Sequence, residues 1–449
     1  MNSHAKATRR DFLTLTAAGL AGSGLLHLHA LPLVAAESNR PLKVAALITT
    51  FFTRSHAHVI LENFLEPYLF NGKVVQPGMQ VASFYVDQIH PNDMSREVAK
   101  QFRIPIYPTI AEALCLGGKQ LDVDAVLLIG EHGNYPTNPK SQVEYPRKQF
   151  FDAIVGVYRG SGRVAPIFCD KHLSFRWDWA KEMVDTAREL KIPLMAGSSV
   201  PLAERRPPLE LPAGAKITQA VSIHGGGLEG YDFHALEVLE SMIEARAGGE
   251  SGVRQVQFLE GDPLWKAAED GRWSADLAAA AMTAEVGPDH ELTRLFQSRG
   301  KAVTREPVAI HGIVVDYRDG LRGMAMKVGN HGIRWNFACQ IAGESAPRAT
   351  SFYVGPWNNR NLFKALSHAI QTHFRQRKPP YPVERTLLTS GILDAAMDSR
   401  LAGGKPIETP QLAFSYPPQD FRAMREMGAT WKIITDQTRE PEGIEPVGI

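Results

Sequence analysis

From Leu42 onward, short apolar runs alternate with stretches of helical periodicity, and this alternation constrains the fold more than any other feature of the chain. KVAALIT is followed by HAHVILENFLEPYLF, and QVASFYVDQ by SREVAKQF. A weaker pair, IPIYPTIAEAL, comes next, and then AVLLIG precedes YPRKQFFDAIVGVYRG. RVAPIFCD, WDWAKEMVDTAREL and PLMAGSS complete the series. Apolar strands separated by amphipathic helices cannot pair as hairpins, so they line up in parallel through crossover helices. The six strands predict one doubly wound, Rossmann-like α/β domain over 42–204.

A proline-rich join from Arg205 to Pro212 marks a change of pattern. Beyond it ITQAVSIHGGG reads as a strand and DFHALEVLESMIEAR as an amphipathic helix. PVAIHGIVVDYRDGLRGMAMKVG holds an Asp-Gly turn between two apolar runs, and IRWNFACQIAG and ATSFYVG follow. Helices over LFKALSHAIQTHFRQ and ERTLLTSGILDAAMDSRLAGG precede a coiled tail. Residues 213–449 are therefore expected to form an α+β domain with an open, largely antiparallel sheet.

The N-terminus carries Thr8-Arg9-Arg10-Asp11-Phe12-Leu13 and an apolar stretch to Ala36 that ends in the small residues Val34-Ala35-Ala36. This is the pattern of a twin-arginine signal peptide over 1–36, read by the twin-arginine translocase, with small residues that suit a signal peptidase; an anchor left uncleaved is the alternative. Gly19, Gly22, Gly24, His27 and His29 interrupt the stretch, so it is too short and too polar for a stable span, and no second run of spanning length follows. A periplasmic or otherwise extracytoplasmic protein without a membrane span is the expectation. Roughly 410 residues remain, enough for two cores. The 49 basic and 48 acidic residues are mixed along the chain, which leaves no basic stripe for a nucleic acid. Cys115, Cys169 and Cys339 lie far apart in apolar surroundings and read as buried thiols.

Several phrases resemble the glucose-fructose oxidoreductase and inositol dehydrogenase (Gfo/Idh/MocA) family. AKQFRIPIYPTIAEALCLGGKQLDVDAVLLIG is similar to its "A…FGIPVY…EAL…DVDAV" phrase, and RKPPYPVERTLLTSGILDAAMDSRLAGGKPIE to its C-terminal ending. Asp170-Lys171-His172 stands where the family has Glu-Lys-Pro. The resemblance implies a ligand cleft between the domains, a lysine at Lys171 that positions substrate and assists proton transfer, and an acidic residue at Asp87 that would contact an adenosine ribose. It also implies association between copies through the open face of the second sheet.

One departure is sharp. The family opens "VGIIGxGxxGxxHA", whereas this chain reads Val44-Ala45-Ala46-Leu47-Ile48-Thr49-Thr50-Phe51-Phe52-Thr53-Arg54-Ser55-His56-Ala57. With the register set by His56-Ala57, the three glycines become Ile48, Thr50 and Thr53, and β-branched residues do not permit the tight turn and the close approach to a pyrophosphate. The ordinary mode of NAD(P) binding is doubtful on this ground. Thr49, Thr50 and Asp87 are the residues that would meet a nucleotide bound in a shifted mode.

Polar residues at strand ends supply the candidate chemistry. Glu131-His132 follows AVLLIG, Asp170-Lys171-His172 follows RVAPIFCD, Ser198-Ser199 follows PLMAG, and Tyr231, His234 and Glu237 open the second domain's helix. Lys171, His172, His234 and Tyr231 are candidate acids and bases. Glu131, His132, Asp170, His172 and His234 are a candidate ligand set for a divalent metal, or hydrogen-bonded polar residues of the cleft. Trp177 and Trp179 read as core rather than as a sugar platform. Three functions stay open: acid/base or metal-assisted chemistry on a sugar or sugar-like polyol, a dehydrogenase with tightly held NAD(P), and a catalytically inactive sugar-binding protein.

Overall fold

The computed structural model describes residues 40–445. The expected export signal lies outside the described residues. The first half of the chain forms β1 (Leu42–Ile48), α1 (His56–Leu65), β2 (Tyr68–Phe70), β3 (Lys73–Val75), β4 (Met79–Val86) and α2 (Ser95–Phe102). It continues with α3 (Ile110–Cys115), β5 (Ala125–Ile129), α4 (Arg147–Ser161), β6 (Ile167–Asp170), α5 (Trp177–Glu189) and β7 (Leu194–Gly197). The second half opens with β8 (Glu204–Arg206), β9 (Ile217–His224), α6 (Gly230–Ile243), β10 (Val253–Glu260), α7 (Asp262–Glu269), α8 (Ala275–Val286) and α9 (Glu291–Gln297). It ends with β11 (Ile310–Tyr317), β12 (Arg322–Val328), β13 (Trp335–Ile341), β14 (Arg348–Tyr353), α10 (Asn359–Gln376), α11 (Val383–Leu401) and β15 (Ile407–Glu408).

The first sheet has the order β4-β1-β5-β6-β7 and is parallel throughout. Val44 to Ile48 in β1 have no exposed surface, as a central strand covered on both faces requires. Five strands form where six are expected. Ile106 in IPIYPT makes a single parallel bridge to Phe84, because Pro105 and Pro108 on either side lack the N–H groups that would extend the ladder. A second difference follows α1, where the apolar run HAHVILENFLEPYLF breaks at Pro67 and its end becomes the β2–β3 hairpin. Asn71 and Gly72 turn it, both at positive φ (50° and 73°).

The second sheet runs β15-β10-β11-β12-β9-β13-β14-β8 and is antiparallel except where β12 meets β9. It begins at Glu204, since β8 pairs with β14 inside the proline-rich join. One face packs on α6 in a core continuous with that of the first sheet. The opposite face, which the resemblance offers for association between copies, is covered by the chain itself. Ala278, Ala281 and Met282 of α8 pack there with Val221, Met324 and Ala338 of the strands.

Two C-terminal helices tie the sheets together. In α10, Gln371 donates to the Asn63 carbonyl of α1 (2.7 Å). In α11, Thr386 donates to the Ala196 carbonyl of β7 (3.2 Å) and Thr389 to Glu237 of α6 (2.8 Å). The carboxyl edge of the first sheet and the N-terminus of α6 are thereby held facing one cleft. Trp177 stacks on Phe414 and Trp179 packs against Phe175, and neither reaches this cleft.

Candidate functional site

A cavity of about 310 Å³ lies at the carboxyl edge of the parallel sheet, walled by the strand-end loops, α6, β13 and the start of α10. Glu131, His132, Lys171, Tyr231 and His234 line it as expected from the sequence, together with His56, Arg54, Ser199, Trp335, Asn358 and Asn359. Four of these residues, Arg54, His132, Lys171 and Asn358, are held at positive φ (66°, 69°, 62° and 55°). A non-glycine residue in that region costs on the order of 1–3 kcal/mol, and such strain gathers where a side chain must be aimed.

The deepest layer is a charge relay under Lys171. Arg147 is fully buried and donates from Nη2 to Glu131 (2.6 Å), whose other oxygen pairs with Lys171 Nζ (3.0 Å). Gly130 makes room for this arrangement, because a Cβ there would meet Arg147 Cγ at 2.6 Å. Burial pushes the Glu131 carboxyl up, but Lys171 and Arg147 outweigh it and hold the group well below the usual carboxylate range. Lys171 also donates to the Gly230 carbonyl (3.3 Å), so its ammonium is fixed at the mouth of α6.

His56 is the main residue that sequence reasoning missed. It is the first residue of α1, and its Nδ1 lies 2.6 Å from the buried Asp170 carboxylate. A carboxylate only accepts, so Nδ1 carries a proton and donates it, and in the neutral ring Nε2 is the nitrogen with the free lone pair. Nothing in local spacing marks this pair, since the two residues are 114 positions apart. His234 sits 2.6 Å from Ser198 Oγ through Nδ1, and burial holds its imidazole neutral, well below the usual range. Ser198 Oγ accepts from the Val200 N–H (3.1 Å), and with its own proton turned to Nδ1 the His234 proton lies on Nε2. His132 packs edge-on against His56 (5.1 Å). Burial, and then His56, push it down to about 4. Tyr231 stacks on Trp335 with ring centroids 5.3 Å apart and planes within 7°. This gives the cavity a flat aromatic wall.

Two expectations are corrected. His172 does not reach the cavity: it is 1% exposed, and Arg147 donates to its Nε2 (3.1 Å), so neither acid/base work nor metal ligation is open to that nitrogen. Asp170 is engaged by His56 and Glu131 by Lys171 and Arg147, so Glu131, His132, Asp170, His172 and His234 do not converge as one ligand set. Among the described residues the one trio of ligand atoms within 4.8 Å of one another is His224, Asp232 and His311. There the Gly226 N–H donates to His224 Nδ1 (3.2 Å), which puts the His224 proton on Nε2, and that N–H donates to Asp232 (2.9 Å). His311 (2.8 Å) shares the same Asp232 oxygen, and the Glu229 N–H (2.7 Å) donates to the other. The trio is a hydrogen-bond knot anchoring α6 to β9 and β11, and its two imidazoles and one carboxylate are also a donor set of the kind that holds a divalent metal.

No family model matches the sequence, and no curated protein matches it. Solved structures do. GenD2 from gentamicin A biosynthesis, solved in complex with NAD, superposes on 87% of this chain and 99% of its own at 12% identity, with a TM-score of 0.52. The chain has the Gfo/Idh/MocA fold. A probable dehydrogenase from Thermotoga maritima (11% identity, 83% of this chain and 100% of its own, TM-score 0.48) is also similar. So is apo scyllo-inositol dehydrogenase from Lactobacillus casei (8%, 83% and 99%, TM-score 0.49).

The Gfo/Idh/MocA fold implies a dinucleotide over the β1–α1 turn, and the residues there do not fit one. Ser55 Oγ accepts from the N–H groups of Phe52 (3.1 Å) and His58 (3.3 Å), and His58 Nδ1 accepts from the Arg54 N–H (2.8 Å), so three of the backbone donors of this turn are already engaged by its own side chains. Phe52 stacks on His90 with centroids 4.2 Å apart, across the ends of β1 and β4. Thr49 donates to the Glu131 carbonyl (2.7 Å), and Thr50 is buried with its hydroxyl unpaired. Asp87 accepts from the Tyr85 and Tyr135 hydroxyls (2.7 Å each) instead of facing a ribose. Arg54 of the same turn is claimed by Glu440 (2.7 Å) and the Trp357 carbonyl (3.1 Å).

Proposed function

We propose that this chain is an exported enzyme that acts on a sugar or sugar-like polyol in the cleft by general acid/base chemistry, without a dinucleotide. The observation that carries the reading is the Asp170–His56 pair beside the Lys171–Glu131 pair in one aromatic-walled cavity. His56 Nε2 is the base. It takes a proton from a substrate hydroxyl, or from a carbon beside a carbonyl, while Asp170 stabilises the imidazolium. Lys171 stabilises negative charge developing on the substrate oxygen, and Glu131 and Arg147 keep its ammonium in place. The neutral His234 donates a hydrogen bond from Nε2 to a second substrate oxygen. Trp335 and Tyr231 offer a face on which the apolar side of a sugar ring stacks. Asn358, Asn359 and Ser199 are spare hydrogen-bonding groups of the kind a polyol needs. The twin-arginine pattern at Thr8-Arg9-Arg10 supports action outside the cytoplasm, where soluble nucleotide is scarce.

The test is to incubate protein lacking residues 1–36 with a panel of sugars, oxidised sugars and glycosides, with and without NAD, and to follow each by NMR. Turnover without NAD that falls by about 10²–10⁴-fold in His56→Gln supports the reading. Turnover that requires NAD, or that survives His56→Gln unchanged, contradicts it. Saturable binding with no turnover of any member points instead to a sugar-binding protein.

A further inference from the structure

A second cavity, about 500 Å³, opens between β8, the C-terminal turn of α6 and the segment 418–425, and it shares no lining residue with the first. Leu211, Ile217, Met242 and Phe421 make much of its wall apolar. Two guanidiniums also line it. Arg205 is 6% exposed and Arg425 is 2% exposed, both far more buried than an arginine normally is.

Both are only half used. Arg205 donates from Nη1 to the Leu209 carbonyl (2.8 Å) and to Glu210 (3.3 Å), and Arg425 donates from Nη1 to the other oxygen of Glu210 (2.6 Å). The Nε atom of each is buried without a partner, and among the described residues no hydrogen bond uses Nη2 of either. The Nε–Nη2 edge is the side of a guanidinium that grips a carboxylate or phosphate with two parallel bonds. The neighbouring charges are otherwise matched. Glu244 is held by Arg385, Asp420 by Arg422, and Arg246 by Glu250 and Asp319. Glu210 alone serves Arg205 and Arg425, with its side chain 44% exposed, so these two buried guanidiniums share one carboxylate. Burial, and then the adjacent Arg425, push Arg205 down to about 9, in the direction a missing counter-anion would give.

We propose that this cavity is a second ligand site, which takes a small organic molecule by an oxyanion head group, carboxylate or phosphate, on the free edges of Arg205 and Arg425. The apolar wall receives the body of that molecule. The site is independent of the chemistry proposed for the first cavity, so either reading can fail alone.

Scanning fluorimetry of the protein lacking residues 1–36, at constant ionic strength, with benzoate and with phenyl phosphate as probes, tests this. At least one probe should give a saturable rise in Tm, and the stronger of the two identifies the head group. Arg425→Lys keeps the charge but removes the two-pronged edge, and should weaken the apparent affinity by about tenfold. Arg205→Lys should act alike, and Arg422→Ala, which removes an arginine already paired with Asp420, should not. No saturable rise with either probe, or a rise undiminished in both lysine variants, overturns the proposal. Where a lysine variant fails to fold, a bromide-soaked crystal of the unaltered protein decides. An anomalous peak within hydrogen-bond reach of Arg205 and Arg425 supports the site, and the absence of both a peak and ligand density there refutes it.

Discussion

At the scale of single residues, the cleft is organised by which hydrogen-bond acceptor each imidazole meets. Asp170 fixes the His56 tautomer, so Asp170→Asn, which offers an amide in place of the carboxylate, should lower turnover nearly as far as His56→Gln while leaving the fold intact. Comparing kcat of the two variants on the sugar found in the panel checks this, and an asparagine variant with unaltered kcat argues against His56 as base. Glu229 gives a pH signature. Burial first, then Glu131, raises its carboxyl to about 8 against the influence of Arg147 and Lys171, so the folded protein binds a proton that the unfolded chain releases near pH 4.5. Its contribution to stability is therefore complete below pH 4.5 and is lost as pH rises through about 8. Glu229→Gln removes that dependence, so the stability of the variant relative to the parent should climb between those limits; a flat or falling difference in Tm contradicts the assignment. Much of this was legible beforehand: Lys171, Glu131, His132, Tyr231 and His234 follow strands or open a helix, and strand ends are where such folds place ligands. His56 was not, because its partner belongs to another strand, and His172 misled because a strand-end position does not reveal that Arg147 lies behind it.

At the scale of elements, two turns decide what the cleft holds. The His224-Gly225-Gly226-Gly227 run between β9 and α6 exists to let Tyr231 and the chain near His331 come close. A Cβ on Gly226 would fall 1.9 Å from the Tyr231 ring, and one on Gly225 2.3 Å from the His331 carbonyl oxygen. Gly226→Ala should displace Tyr231 from Trp335 and raise KM for a sugar more than it lowers kcat, because the aromatic wall binds and does not react; an unchanged KM refutes that role for the wall. The β1–α1 turn is the other. Lost glycines are visible in the sequence, but the Ser55 cap and the Phe52–His90 stack that replace the phosphate site are not, since they need the folded ends of α1 and β4. Restoring two glycines by Thr50→Gly with Thr53→Gly should thus give no NAD binding in equilibrium dialysis, and micromolar binding would show that the turn alone excludes the nucleotide. The same limit explains the missed hairpin over 68–75. Asn71-Gly72 is a strong hairpin signal, but the apolar run around Pro67 continues the α1 pattern and masks it.

At the scale of the whole molecule, the parallel sheet, the mixed sheet and their order were all legible from the alternation of strands and helices. The covering of the second sheet by α7 to α9 was not, because an alanine-rich helix such as α8 carries no sign of which surface it will meet. That covering lies on the sheet face that the sequence resemblance offers for association between copies. The architecture shared with GenD2, which was solved with NAD, here encloses a histidine and carboxylate cleft, with the Phe52–His90 stack and the Asp87–tyrosine bonds beside it. The most direct measurement is to denature protein isolated after export by its own route and assay the released fraction for nicotinamide nucleotide by absorbance and mass spectrometry. Cofactor-free chemistry in the cleft predicts none, with turnover of a sugar by the same preparation before denaturation. One nicotinamide nucleotide per chain would contradict it.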